Sequence, residues 1–311
     1  MCHMPQVHAA ATSEGFDFSA TFECVRPLFG RADVSIVNLE TVISPDAIYR
    51  GYPAFSSPPE LASSLRDAGV DIAVTANNHC CDRGARGIRS TIACLDSLGI
   101  AHTGTWDTTE VDAGSRLLRF ESRGIRFALM NYTYGTNGIP VPDGCTVNLI
   151  DTAAMARDAK EAADADLRIA FLHWGEEYER RTNAAQLKLK EFLQRHGVEI
   201  IIGSHPHVIQ PAEVADNRIF VSSLGNFVSN QRKRYSDGGL IAEVGIDRMS
   251  TGELRTALKL VPVWVKLPGY RILPPEAADT VSMSAAEQAH YKQFMADTEE
   301  VLSKSEILQQ H

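Results

Sequence analysis

"VEIIIGSHPHVIQ" (Val198 to Gln210) places two histidines, one residue apart, directly behind an apolar run. Ile200-Ile201-Ile202 is short, β-branched and uncharged, which predicts a buried strand. Gly203 ends it, and His205-Pro206-His207 follows where such a strand would leave a sheet. Pro206 has a fixed φ, which limits the conformations of the turn and helps both imidazoles face one cavity. A single histidine behind a strand is more often a satisfied core or loop residue than a ligand. The stretch alone favours that plainer reading.

The same arrangement recurs along the chain. Ile36-Val37 runs into Asn38-Leu39-Glu40, and Ile72-Ala73-Val74 runs into Asn77-Asn78-His79. Ile169 to Leu172 ends in His173-Trp174-Gly175-Glu176, and Phe220-Val221 leads through Ser222-Ser223-Leu224-Gly225 to Asn226-Phe227. In layered α/β proteins, ligand sites collect beyond the carboxyl ends of the strands. Taken singly, Asn77-Asn78 is a turn, Glu40 a helix cap or solvated end, and Trp174 a packing residue. Taken together, four of the ten histidines (His79, His173, His205 and His207), with Glu40 and Asn78, occupy corresponding topological positions. Scattered surface histidines would not do that.

Imidazole, carboxylate and amide oxygen make a mixed nitrogen and oxygen ligand set, suited to zinc, manganese or iron rather than to a thiolate site. A carboxylate can bridge two such ions, which then polarise phosphoryl oxygens and activate water. His79 follows a ligand-type asparagine and is placed to protonate a leaving group.

Strands alternate with amphipathic helices over most of the chain, at 58–68, 87–98, 152–163 and 183–196, which predicts α/β layering. Beyond Asn217 the pattern changes: Arg218 to Leu224, Gly239 to Ile246 and Leu254 to Val265 read as strands with no helix between them, hence as an antiparallel part of a sheet. A polar, mostly helical tail covers about 282–305. The 311 residues, 44% hydrophobic and 22% charged, fit one large domain, with no repeat or low-complexity linker. A net charge of -9 argues against a broad nucleic-acid surface. Six cysteines without a C-x-x-C pair read as small buried or half-buried thiols. No stretch approaches the roughly 20 apolar residues that a membrane-spanning helix needs.

Five ordered motifs carry a family resemblance: Asn38-Leu39-Glu40; Asn77-Asn78-His79 with Asp82-x-Gly84; His173-Trp174-Gly175-x-x-Tyr178; Gly203 to Val208; and Ser223 to Phe227. Over about 1–265 the chain resembles poly-γ-glutamate capsule biosynthesis proteins of the CapA type, a branch of the calcineurin-like metallophosphatases. The resemblance implies a four-layer α-β-β-α sandwich of two mixed sheets flanked by helices, with 266–311 as a mostly helical extension packed on the same domain. It implies a divalent metal centre, expected to hold two ions (Mn, Fe or Zn), with Glu40, Asn78, His173, His205 and His207 as ligands. His79 would be the catalytic acid, with Asp82 orienting it or capping a turn. Asn226 and the basic loop Arg232-Lys233-Arg234 are candidates for holding a substrate anion, although a solvated loop is the plainer reading of the basic run.

The resemblance also implies phosphoester hydrolysis in the biosynthesis or export of an anionic envelope polymer, in contact with membrane-bound capsule synthesis machinery and without nucleic acid. Hydrolysis of a γ-glutamyl amide, or polymer or synthase binding without catalysis, are the alternatives. The family pattern begins with a strand ending in Gly-Asp, and this sequence starts just behind that position. The expectation is therefore that this strand and one ligand carboxylate are missing, and that His3 lies in a frayed terminus rather than helping to fill the site. The same missing stretch is where a signal peptide or anchor would lie, so the full-length family pattern is extracytoplasmic or membrane-anchored.

Overall fold

Apolar runs bounded by glycine or proline become strands, and the amphipathic stretches between them become helices, in the computed structural model, which describes residues 1–44, 46–108 and 116–307. In chain order these are α1 (Met4–Ala9), α2 (Ser19–Phe22), α3 (Arg26–Phe29), β1 (Ile36–Asn38), α4 (Pro59–Ala68), β2 (Ile72–Val74), α5 (Gly84–Ser97), β3 (Ala101–Thr103), β4 (Thr105–Trp106), β5 (Leu118–Ser122), β6 (Ile125–Thr133) and β7 (Thr146–Val147). The rest comprises α6 (Thr152–Glu161), β8 (Leu167–His173), α7 (Ala184–Arg195), β9 (Ile200–Ser204), β10 (Ala212–Ala215), β11 (Arg218–Val221), β12 (Gly238–Arg248), β13 (Leu254–Lys266), β14 (Arg271–Leu273), α8 (Pro275–Ala278), α9 (Ala285–Leu302) and β15 (Glu306–Ile307).

Local chemistry sets the helix ends. Pro59 opens α4 where its missing N–H costs nothing, and Gly69 closes it at φ +105°. Asn183 and Gln186 form a reciprocal capping box on α7, and Ser284 with Glu287 does the same for α9. Among the described residues, no helix is long and apolar enough to cross a membrane.

The elements stack in four layers. The central seven-stranded sheet has the order β15-β10-β11-β9-β8-β6-β5, with β6, β8, β9 and β11 parallel to their neighbours in that run. Strict alternation divides its side chains. Met130, Tyr132, Ala170, Leu172, Ile201 and Phe220 face α6 and α7, meeting Met155, Ala159, Leu189 and Leu193. Leu129, Phe127, Ile169, Phe171, Ile200, Ile202 and Val221 face the other way, onto Ile72 and Val74 of β2 and the apolar side of β12 and β13. The outer surface of that second layer is covered by the N-terminal helices with α4 and α5, through Phe22, Phe29, Leu61, Leu65 and Leu95.

Two features differ from the sequence expectation. The strand at Arg218 does not join the antiparallel strands that follow it. It pairs parallel to β9 and antiparallel to β10, and the long irregular stretch 222–237 carries the chain across to the other layer. That second layer is also two sheets, parallel β1-β2-β3 and antiparallel β12-β13-β14. Among the described residues, β1 pairs only with β2, and β12 only with β13 as a full strand; a cavity of about 780 Å³ is lined by both and reaches Glu40, His205 and His207. At the far end, α9 seats Phe294 and Val301 against Leu240, Trp264 and Leu273.

Gly203 has no room for a side chain. A Cβ there would overlap the Ser222 carbonyl and the Trp174 indole nitrogen, which are held against each other by the buried Trp174 Nε1–Ser222 O hydrogen bond. Gly203→Ala should therefore cost about 1–3 kcal/mol or more, read as a fall in the urea or thermal midpoint. An unchanged midpoint would contradict this packing.

Candidate metal centre

The strand ends converge because the loops behind them are tied to one another. Leu39 N–H continues the ladder to Val74 O (3.0 Å), so Glu40 is the first residue free of β1. Asn77 links the ends of β1 and β2: its amide donates to Leu39 O (2.9 Å) and Thr75 O (3.2 Å), and its Oδ1 accepts the His79 N–H (3.0 Å). His173 ends β8 in register with Ser204 of β9. Trp174 is the packing residue it was expected to be, buried with Nε1 donating to Ser222 O (3.0 Å). The His-Pro-His turn bends sharply, with His205 at φ +98° and His207 at φ +58°. Non-glycine residues pay about 1–3 kcal/mol for such conformations, and they cluster at functional sites.

Glu40 Oε1 lies 3.5 Å from His173 Nε2 and 3.8 Å from His207 Nε2. Asn78 Oδ1 is 2.9 Å from His173 Nε2. Glu40, His173 and His205 each offer a ligand atom within 4.8 Å of the others. The opposite ring nitrogens are held from behind, His173 Nδ1 by Ser204 Oγ (3.0 Å) and His207 Nδ1 by Asn226 Oδ1 (3.1 Å). Such contacts fix ring orientation and leave each Nε2 on the cluster. Tyr134 covers His205, ring centroids 4.5 Å apart.

Burial sets the electrostatics. It pushes the Glu40 carboxyl up to about 7, against the opposing pull of the Met1 ammonium and His79. It drives His205 down to about 4, and His207, helped by neighbouring His205, to about 3. His173 also falls well below its ordinary value, first through burial and then through His205 and His207. These imidazoles are therefore neutral at pH 7, the form that binds metal. Glu40 Oε1 and His205 Nδ1 are buried with no hydrogen-bond partner. A buried acceptor without a donor is costly, and a cation relieves it. The donor set and these two atoms fit a divalent ion.

His79 stands beside this cluster in a different setting. Its Nδ1 is 2.8 Å from Asp82 Oδ2, which also accepts the Phe55 N–H (2.6 Å). The Phe55 ring packs edge-on at 4.6 Å. With Nδ1 engaged, Nε2 is the nitrogen left to exchange a proton.

The remaining candidates fall outside the cluster. Asn226 uses its amide on His207 O, Gln231 Oε1 and Ser236 O, so it supports His207. Arg232 donates to Val265 O (3.0 Å) and Ser229 O (3.1 Å), and Arg234 pairs with Asp297. Lys233 alone of the three lies over Tyr178, 4.1 Å from the ring centroid. His3 is not frayed: it caps α1 with Gln6 and packs edge-on against Phe55 at 5.0 Å. Sequence reasoning missed Glu177, which forms a second three-residue set with His205 and His207. It also missed Asn131, which ties β6 to the β2 end by accepting the Ala76 N–H at 2.7 Å. Only the motif position of Glu177, four residues behind His173, hinted at it.

The chain is 30% identical over 195 residues to the capsule biosynthesis protein CapA of Bacillus anthracis, covering 60% of this chain and 47% of that one. It is 25% identical over 239 residues to the PGA biosynthesis protein CapA of Bacillus subtilis (strain 168), covering 74% and 62%. It thus spans about half to three fifths of the length of these relatives. Among solved structures it is similar to a 5'-nucleotidase candidate from Staphylococcus aureus in complex with alpha-ketoglutarate, at TM-score 0.53 and 11% identity over 92% of this chain and 55% of that one. That likeness concerns the fold, which is metallophosphatase-like. The model of the family described as "Bacterial capsule synthesis protein PGA_cap" matches residues 1–231, a span that contains every residue of the cluster, and the chain belongs to that family.

Proposed function

We propose that this chain is a metal-dependent phosphoester hydrolase acting in the synthesis or export of an anionic capsular polymer such as poly-γ-glutamate. The observation that carries the reading is the pair of partnerless buried atoms, Glu40 Oε1 and His205 Nδ1, inside a ring of neutral histidines. Glu40, Asn78, His173, His205 and His207 would hold one or two divalent ions, of manganese, iron or zinc. When bound, such ions supply Lewis-acid activation of water and of the phosphoryl group. The protein's own residues do the rest. Ser204 and Asn226 hold the ligand rings in place. Tyr134 screens His205 from water. His79, steadied by Asp82, delivers a proton to the departing oxygen.

The family and the names of the relatives support the polymer context, and the reading includes an anionic polymer or phosphoester substrate and contact with membrane-bound synthesis machinery. The test is a panel of phosphomonoesters, phosphodiesters and γ-glutamyl amides, with the metal content of the protein measured in parallel. Phosphoester turnover that chelator removes and manganese restores is the expected result. Cleavage of γ-glutamyl amides alone would move the assignment to amide hydrolysis. A protein that takes up no divalent metal and cleaves nothing would overturn the reading.

A further inference from the structure

Two carboxylates approach the histidine cluster, and they differ in kind. Glu40 is 6% exposed and belongs to a set with His173 and His205. Glu177 is exposed and belongs to a set with His205 and His207, again with ligand atoms within 4.8 Å of one another. His205 is common to both, 6% exposed, with a partnerless Nδ1. His207 has Nδ1 on Asn226, so its Nε2 is the free nitrogen.

The loop holding Glu177 is bent back onto the His-Pro-His turn. Gly175 (φ +86°) and Tyr178 (φ +66°) take left-handed conformations on either side of it. The Tyr178 N–H donates to Pro206 O at 2.7 Å, and the Tyr178 ring lies 6.1 Å from that of His207. The backbone is thus pinned while the carboxylate stays in solvent. Among the described residues, that carboxylate has no hydrogen-bond or ion-pair partner.

We propose that Glu177 is a displaceable ligand, closing the solvent side of the cation centre with His205 and His207 and yielding its place to an anionic oxygen of the substrate. This rests on the metal-dependent reading above. Glu40 cannot play that part, because moving it would strand a buried carboxylate. Glu177 can, because water solvates it as soon as it leaves. An incoming phosphoryl oxygen supplies the same charge and the same hard donor atom, so the exchange leaves the centre's charge balance nearly unchanged.

The test is calorimetric titration of manganese into the full chain, the Glu177→Gln variant and a neighbouring control, Glu176→Gln, each with and without inorganic phosphate. Without phosphate, Glu177→Gln should weaken manganese binding by about tenfold or more, while Glu176→Gln matches the unsubstituted protein. With saturating phosphate, the Glu177→Gln deficit should largely vanish, because phosphate fills the position in both proteins. Equal manganese affinity of Glu177→Gln and the unsubstituted protein without phosphate would overturn the proposal while leaving the metal reading intact. So would a deficit that persists undiminished in phosphate, which marks a fixed ligand. Failure of the unsubstituted protein to bind manganese would remove the metal reading itself, and the proposal with it.

Discussion

Glu40→Gln should weaken divalent-metal binding by about 100-fold or more and at the same time raise the thermal midpoint of the metal-free protein. The first effect follows from charge and position. Among the described residues, Glu40 Oε1 is the one carboxylate oxygen within 4 Å of both His173 Nε2 and His207 Nε2, and it is buried. Loss of outer contacts around a metal already costs about 10–100-fold in affinity, so loss of an anionic ligand should cost at least the upper end. The second effect follows from the same burial. Without a cation, Glu40 Oε1 has no partner, and an unsatisfied buried acceptor costs about 1–3 kcal/mol, more when it is charged. Glutamine keeps the shape and removes the charge, and with it the extra cost of burying an unpaired carboxylate, which is felt above the raised pKa of about 7. A purely structural Glu40 would give the opposite stability result, because its loss would then remove a stabilising contact. Calorimetry with manganese, together with thermal melts in chelator, measures both. Metal affinity equal to that of the unsubstituted protein would remove Glu40 from the ligands.

Legibility from sequence tracked burial. Ile200-Ile201-Ile202 and Ile169 to Leu172 announce buried strands by composition alone, so the residues behind them could be placed on one edge. That logic located Glu40, Asn78, His173, His205 and His207, which the structure brings together, and His79, which stands beside them on Asp82. It could not find Glu177. Glu176, Glu177 and Glu179 are alike in an exposed loop, and only the left-handed turns at Gly175 and Tyr178 direct one of them to the histidines. Nor could it separate ligand from support at Asn226, whose role depends on four hydrogen bonds made with residues from His207 to Ser236. β11 forms as a strand but pairs with β9 and β10 rather than with the strands that follow it, for a related reason. A missing helix predicts a hairpin, but the 222–237 stretch is long enough to change layers without one. β10, four residues of Ala-Glu-Val-Ala behind a proline, carries too little periodicity to register as a strand.

His79→Ala should leave the metal affinity of the chain near its original value and reduce phosphoester turnover by about 10²–10⁴-fold, the range a positioned general acid contributes. The structure separates the two properties. Neither candidate ligand set among the described residues includes His79, and its Nδ1 is committed to Asp82 rather than to the cluster. The imidazole is fixed on two sides, by Asp82 and by the Phe55 ring, and the backbone N–H of His79 is held on Asn77 Oδ1. A ring so placed needs no reorganisation to give up its Nε2 proton. The decisive readout is the leaving group. Alkyl phosphoesters, whose alkoxides depart badly without a proton, should suffer the full loss, whereas p-nitrophenyl esters, whose phenolate departs unaided, should suffer much less. Asp82→Asn should follow the same pattern with a smaller loss, since it keeps the side-chain shape and gives up the charge that steadies imidazolium. Equal losses on both kinds of ester, or metal affinity falling with turnover, would place His79 among the structural or ligand residues instead of the proton donors.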